Sequence, residues 1–494
     1  MTPSVSVRTQ GAHRAKGRCV MSDTSSPART MPSAQRTAPS PLHLVEQTVA
    51  DLPATPASLV DRFRNLHEGP LVFHEVVRLG DEAVAALEEL VRGPSDAVHQ
   101  PRCLAADALA AIGSSGAVHA LTRALLDSVG RDPMPALLEA ESVLVNHIAE
   151  HLSRFPCPEV TEALLSALQR RRYPYCAAAL GLTGDPRAIP LLVECLYEDA
   201  ARAAAAAALR GFGSAALVPL VRVLLEPQGV ETSEPPSRLD GRIAAARILG
   251  DFVRADSRNA ALAEGALTKA LSDTQRAVRL EAALGLARCG VRASDETTRI
   301  LVGALDEENW ARAGEIVATL VRIGPPAERL LLPIVESRPR DEADRRRRVR
   351  AVETVGRLGA VSAVSILRSF NASRDTTLRF ATVEALSAIA SSDTGSLALF
   401  LNDAHPTIRF RALQALVRRR ALDLDLAIRL LADEDAHVRS LAASALRDEI
   451  AVALPSLKRV ASHCGAPAEG LAPRLRLWWH ACALIAEAGR GSRC

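Results

Sequence analysis

The chain has 494 residues, of which 48% are hydrophobic and only 3% aromatic, and its 60 Lys+Arg against 57 Asp+Glu leave a formal net charge of +3. This near-balance of charge excludes a strong overall attraction to nucleic acid or to an anionic membrane. The composition implies a core of Ala, Leu, Val and Ile, and no run approaches the ~20 consecutive apolar residues of a membrane-spanning helix.

Residues 1–41 are predicted to form a disordered N-terminal tail. They are rich in Ser, Thr, Pro and Arg and show no hydrophobic period, so they cannot bury enough apolar surface to offset the entropy of the chain. The apolar segment of a secretory signal is missing. The nine cysteines form no CxxC pair and no zinc-ligand spacing. We therefore expect a reducing compartment and a cytoplasmic location.

The remainder of the sequence has a helical period, interrupted by Gly and Pro, and strand patterns are absent. We predict an N-terminal helical cap with a first repeat at 42–100, a repeat array at 101–470, and a C-terminal capping helix with a short tail at 471–494. The repeating unit contains an Arg that opens an alanine-rich helix, then a Gly-containing turn and a further apolar helix. The Arg positions are Arg102, Arg202, Arg242, Arg279, Arg312, Arg350, Arg379, Arg409, Arg439 and Arg476.

Three stretches show the repeat most clearly: DTQRAVRLEAALGLARCG at 273–290, DAHPTIRFRALQALV at 403–417 and DEDAHVRSLAASALRDE at 433–449. An Arg six residues after an Asp, followed by AxxAL, resembles the HEAT repeat. The stretch GDPRAIPLLVECLYEDAARAAAAAALRGFG at 184–213 resembles the HEAT-like repeats named after phycobilisome lyases. We therefore predict an all-α fold, a right-handed α-solenoid of about 11–12 HEAT-like helix pairs.

The resemblance also implies a role for the Asp and the Arg. In HEAT-like repeats they lie at the turn between the two helices, and neighbouring repeats stack them into a ladder of charge-assisted hydrogen bonds. The expected ladder residues are Asp273 with Arg279, Asp403 with Arg409, and Asp433 with Arg439.

His67-Glu68 and His74-Glu75 are the residues that first suggest metal chemistry. Such dipeptides hold two irons in the HEAT-like enzyme deoxyhypusine hydroxylase, where they recur in four repeats. Here both lie in one segment, and later repeats carry Arg-Leu, Arg-Phe and Arg-Ser at the matching positions. Several ligands must converge for this chemistry. We therefore predict no cofactor and no metal, and interpret both pairs as surface residues of the N-terminal cap.

The candidate partner-binding residues form three groups. The basic run is expected in a turn or at a helix end and is either solvated charge, a site for an acidic protein, or a nucleic-acid contact. The acidic residues lie near the starts of helices that line the concave side in HEAT-like folds, where they either complement the helix dipole or receive a basic partner. The adjacent tryptophans face different sides of the last helix, one toward the core and one as a cap or docking residue. The groups are Arg345, Arg346, Arg347 and Arg348; Glu281, Glu315, Glu353 and Glu384; and Trp478 and Trp479.

The predicted function is a non-catalytic scaffold or adaptor that binds a protein or peptide partner on its concave helices and turn edge. Nucleic acid is an unlikely partner and no membrane association is expected. Four interruptions of the repeat are each expected to follow a first helix and precede a second, so they either mark this edge as a binding surface or reflect the tolerance of exposed loops for insertions: 125–135, 169–174, 226–240 and 336–348. The alternative is an enzyme or enzyme subunit on a HEAT-like scaffold: a tetrapyrrole–protein lyase, a di-iron hydroxylase or a DNA glycosylase.

Overall fold

The computed structural model describes residues 55–96, 98–131, 134–226, 235–255, 260–288, 293–389, 394–464 and 472–491. Within these ranges the chain is helical and has no β-strand. The predicted tail at 1–41 lies outside the described residues.

The described residues contain 26 α-helices, numbered here in chain order. They are α1 Pro56–Asp61, α2 Gly69–Arg78, α3 Asp81–Val91, α4 Gln100–Ile112, α5 Ser115–Gly130, α6 Leu138–Leu152, α7 Pro158–Arg170, α8 Pro174–Thr183, α9 Ala188–Cys195, α10 Asp199–Phe212, α11 Ser214–Leu225, α12 Pro236–Ala255, α13 Ala260–Ala270, α14 Arg276–Arg288, α15 Asp295–Gly303, α16 Trp310–Ile323, α17 Pro325–Glu336, α18 Glu342–Leu358, α19 Val364–Ser369, α20 Thr376–Ala388, α21 Thr394–Ala398, α22 Pro406–Arg418, α23 Leu424–Leu430, α24 Ala436–Asp448, α25 Ile450–Cys464 and α26 Ala472–Gly491.

Local sequence signals set where many of these helices begin and end. Pro406 occupies the first turn of α22. Backbone N–H groups in the first turn have no intrahelical acceptor, so a proline there costs the helix no hydrogen bond. The carboxylate of Asp435 accepts hydrogen bonds from the backbone N–H groups of His437 and Val438 and so caps α24. Gly184 ends α8 with a φ of 70°, a left-handed conformation that glycine adopts without steric cost.

The helices form two layers. From α3 to α26 they alternate as pairs, with the odd-numbered helices packed in one layer and the even-numbered helices in the other. One continuous core of Ala, Leu, Val and Ile runs between the layers from Leu59 to Leu484. The all-α solenoid predicted from the repeat is confirmed, and twelve pairs in the described residues agree with the predicted 11–12.

The even-numbered helices approach one another most closely. A Cβ added to Gly356 of α18 would lie 2.4 Å from the Cα of Ala385 in α20. Gly181 of α8 faces Ala208 of α10 in the same way, at 2.8 Å from its Cα. Small residues allow this approach, and the even-numbered helices form the more closely packed of the two layers. We call the even-numbered helices the inner layer.

None of the helices in the described ranges combines the length and the apolar character needed to cross a membrane.

Candidate functional site

The turns that lead from an odd-numbered helix into the next even-numbered helix lie along one edge, which we call the turn edge. Arg409, in the first turn of α22, donates from Nε and Nη2 to the two carboxylate oxygens of Asp433, at 2.8 and 2.7 Å. Its Nη1 donates to the backbone carbonyl of Asp403, at 2.8 Å. Arg379 repeats the arrangement one unit earlier, donating to the Asp403 carboxylate at 2.7 and 3.1 Å. Each Arg thus joins its own turn to the next turn.

The pairing differs from the expected one in a specific way. The Asp six residues before an Arg offers that Arg its backbone carbonyl, as Asp273 does for Arg279 at 2.7 Å and Asp433 does for Arg439 at 2.8 Å. The carboxylate of the same Asp turns to the preceding repeat, as in the buried pair of Arg242 with Asp273. The backbone carbonyl of each Asp thus accepts from the Arg of its own repeat, whereas its carboxylate pairs with the Arg of the preceding repeat.

Of the two expected positions, a turn or a helix end, the basic run occupies the helix end. Arg345, Arg346, Arg347 and Arg348 belong to the first two turns of α18. Arg345 donates to both carboxylate oxygens of Asp375 at 2.7 and 2.9 Å, the contact that Arg379 makes in the next repeat. Arg350, the aligned Arg of this repeat, donates instead to the backbone carbonyls of Leu305 and Glu307.

The other three arginines of the run are also engaged by the chain itself. Arg346 pairs with Glu308 at 3.0 Å, and Arg347 pairs with Asp306 at 3.0 Å. Arg348 donates to the carbonyl of Val335 at 3.0 Å and lies over the ring of Phe370. The interpretation of these residues as solvated turn charge is wrong, because their guanidinium groups hold neighbouring repeats together.

Glu281 is not available to a partner. It lies in α14 with 1% of its side chain exposed and pairs with Arg247 of α12 and Arg312 of α16, each at 2.6 Å. The prediction that Glu281 contacts a partner is wrong, because its buried carboxylate instead joins three successive inner-layer helices.

The remaining candidate glutamates are half-exposed but also paired. Glu315 pairs with Arg288 of the preceding inner-layer helix, and Glu384 lies 3.5 Å from Arg411 of the following one. Glu353 pairs with Arg357 one turn along α18. The inner layer thus presents mixed, mutually paired charge rather than a strip of free carboxylates.

Tryptophan is exposed at two separate places. Trp479 lies on α26 with 65% of its surface exposed, and Trp478 precedes it in the same helix. Trp310, which the sequence analysis did not single out, is 84% exposed. It is the first residue of α16, directly after Asn309, whose side chain caps this helix by accepting from the N–H groups of Ala311 and Arg312. Trp310 therefore stands where the turn edge meets the inner layer.

The two His-Glu pairs do not come together with other metal ligands in the described residues. Glu68 accepts from Arg62 at 2.9 Å and from Asn65 at 2.8 Å. The ring of His74 lies edge-on to Phe73.

A different cluster joins α4 to α6. Oδ1 of Asp107 lies 2.8 Å from Nε2 of His147 and 2.7 Å from Nε2 of His151, and the two nitrogens are 3.3 Å apart. Burial raises the pKa of Asp107, but the hydrogen bonds and charges of both imidazoles outweigh it and lower that pKa. The hydrogen bond with Asp107 raises the pKa of His147.

Sequence reasoning missed this cluster although a signal was present. The stretch HIAEH places His147 and His151 four residues apart, on one face of a helix. Asp107 precedes His147 by about one repeat, so both occupy equivalent places on adjacent inner-layer helices. The cluster borders a cavity of about 450 Å³ lined by Asp107, Cys103, Phe63 and their neighbours on α2 and α4.

Comparison with known protein families identifies a PBS lyase HEAT-like repeat at residues 175–198. The resemblance to HEAT-like repeats is thereby confirmed, and the match lies in α8 and α9. The comparison with curated proteins found no match.

Several solved structures are similar in fold. A Kap121p mutant matches with a TM-score of 0.54 and 12% identity, over 87% of this chain and 52% of the other. Kap121p bound to RanGTP matches with a TM-score of 0.51 and 15% identity, over 83% of this chain and 49% of the other. A Kap95p structure with RanGDP matches with a TM-score of 0.50 and 14% identity, over 87% of this chain and 66% of the other. The chain thus spans about half to two thirds of these proteins, and the likeness shows a shared HEAT-type α-solenoid fold.

Proposed function

We propose that this chain is a non-catalytic α-solenoid scaffold that binds a protein or peptide partner along its inner layer and turn edge. A solenoid of this kind offers a long, continuous surface, because each repeat contacts only its neighbours and leaves one layer open. Kap121p and Kap95p, which share the fold, are seen with the protein Ran. That likeness supports the proposal at the level of architecture.

The observation that carries the proposal is Trp310. Aromatic residues make up 3% of the chain, and this one lies almost wholly outside the core at the junction of the turn edge and the inner layer. Exposed tryptophans are frequent energetic centres of protein interfaces, because they bury much apolar area with little loss of side-chain freedom. The turn just before Trp310 contains Asp306, which pairs with Arg276, and paired charges suit the polar rim of an interface.

The paired charges define the class of partner. Basic and acidic side chains of the inner layer largely neutralise each other, so neither a polyanion nor a strongly basic segment meets a free field of opposite charge. We therefore propose a partner anchored by apolar or aromatic side chains, with nucleic acid unfavoured. The buried free thiols of Cys176 and Cys195 support a reducing compartment, and the cytoplasm is the proposed location.

Affinity capture from the native cell with the full chain tests this proposal. Trp310→Ala should reduce recovery of the captured partner at least about tenfold, since truncation of an anchoring residue costs about 2 kcal/mol or more. Leu262→Ala is the matched control, because Leu262 is an exposed apolar residue of α13 in the outer layer. Melting of both variants should match the native chain. Equal recovery with Trp310→Ala and native protein would contradict the proposed surface.

A further inference from the structure

The cluster formed by Asp107, His147 and His151 is not explained by partner binding. We propose that these three side chains bind a single divalent first-row transition-metal ion, of the kind represented by Zn²⁺, and that the ion clasps α4 to α6.

The spacing of the three ligand atoms fits one ion. Their separations are 2.7, 2.8 and 3.3 Å. An ion about 2.1 Å from each atom, the usual bond length of zinc to nitrogen or oxygen, would lie about 1.2 Å outside their plane. The angles between the bonds would then be roughly 80 to 105°, which places all three ligands on one face of the ion.

The ligand types fit as well. Two imidazoles and one carboxylate suit zinc, cobalt or ferrous iron rather than magnesium or calcium, which prefer oxygen ligands. Among the described residues this is the one group of three or more His, Cys, Asp or Glu side chains whose ligand atoms converge in this way.

The polar contacts of the His151 ring are confined to the Nε2 side that faces the cluster, because its Nδ1 is buried and has no hydrogen-bond partner.

A hydrogen-bonded clasp without a metal is the alternative arrangement of the same three side chains. Both Nε2 atoms approach the same oxygen of Asp107 while lying 3.3 Å from each other. If both carried protons, the two N–H groups would share one acceptor oxygen, which has two lone pairs. If each directs a lone pair inward, a cation between them removes the repulsion and binds all three atoms.

The site is reachable from solvent. The side chain of Asp107 is 36% exposed and that of His147 is 29% exposed, whereas His151 at 11% forms the inner wall. Three ligands on one face leave other coordination positions for water or a small anion. Asp107 also lines the 450 Å³ cavity, which gives an exogenous donor a route to the ion.

Calorimetric titration of the chelator-treated full chain with Zn²⁺ tests the site. We expect one ion per chain with submicromolar affinity. His147→Gln and His151→Gln should each weaken binding at least about 100-fold, since even neighbours of metal ligands alter affinity 10- to 100-fold. His119→Gln is the matched control, because His119 also pairs with a carboxylate of the next repeat, Glu159 at 2.7 Å, but has no second imidazole beside it. The affinity of the His119→Gln variant for Zn²⁺ should equal that of the native chain.

Failure of the native chain to bind Zn²⁺ tighter than about 100 μM would overturn the proposal, as would equal affinity in all variants. If His151→Gln fails to fold, Asp107→Asn, at a half-exposed position, provides the same test. The Co²⁺ form should show visible absorption bands that shift on addition of azide. Unchanged bands would overturn the open coordination positions.

Discussion

At the scale of single residues, the arginines of the turn edge act as connectors. Arg409 makes two charged hydrogen bonds to Asp433 and one to the carbonyl of Asp403, with 12% of its side chain exposed. Arg409→Ala should lower the free energy of unfolding by about 1–3 kcal/mol, because it leaves a mostly buried carboxylate without its donor. Chemical denaturation followed by circular dichroism measures the change.

The neighbouring Arg429 provides the control. It lies exposed on α23, so Arg429→Ala should change stability by less than about 0.5 kcal/mol. Identical denaturation curves for Arg409→Ala and the native chain would show that the ladder does not stabilise the fold.

At the scale of helices, the distance between inner-layer neighbours is set by residues without side chains. Gly356→Ala would place a Cβ 2.5 Å from that of Ala385, so α18 and α20 must move apart. We expect a loss of about 1–3 kcal/mol from overpacking, only partly offset by the better helix propensity of alanine.

Gly314→Ala should have the opposite sign. Gly314 lies inside α16, and a Cβ there meets no atom within 4 Å. Alanine should therefore raise stability by up to about 1 kcal/mol through helix propensity alone. Thermal melts of the two variants compare the effects directly, and the same sign for both would contradict the close packing of the inner layer.

At the scale of the whole molecule, ion pairs between repeats make the free energy of unfolding depend on pH. The hydrogen bonds from Arg345 hold the pKa of Asp375 below its usual range. Burial raises the pKa of Asp306, but the hydrogen bond from Arg276 and the charges of Arg276 and Arg347 outweigh it and lower that pKa. Because such carboxyls bind protons less readily when folded, they stabilise the chain above the ordinary carboxyl pKa of about 4 and lose this contribution as pH falls through the lower folded-state values.

The denaturant concentration at the midpoint of unfolding should accordingly stay constant between pH 7 and 5 and decrease between pH 4 and 2. Arg345→Gln returns the pKa of Asp375 toward its usual value, so its midpoint should fall less over the acid range than that of the native chain. A midpoint independent of pH down to 2 would contradict a stabilising role for these pairs.

The repeat itself was accessible from the sequence, because the physics of a solenoid is local. A period of 30–40 residues, apolar helical spacing and turn residues such as Pro406 specify helix pairs that can bury their apolar faces only against the next pair. The all-α fold and the core composition follow from these signals without knowledge of distant contacts, and the resemblance to HEAT-like repeats implied the placement of Asp and Arg at the turns.

Only the tertiary structure determined which arginine pairs with which carboxylate. Arg409 contacts Asp433 rather than the carboxylate six residues before it, Arg345 rather than Arg350 reaches the next repeat, and Glu281 lies buried between Arg247 and Arg312. Such pairings depend on the rise and rotation between repeats, which no single repeat encodes. The same rotation brings Asp107 to His147 and His151, whose separation along the chain hides their proximity.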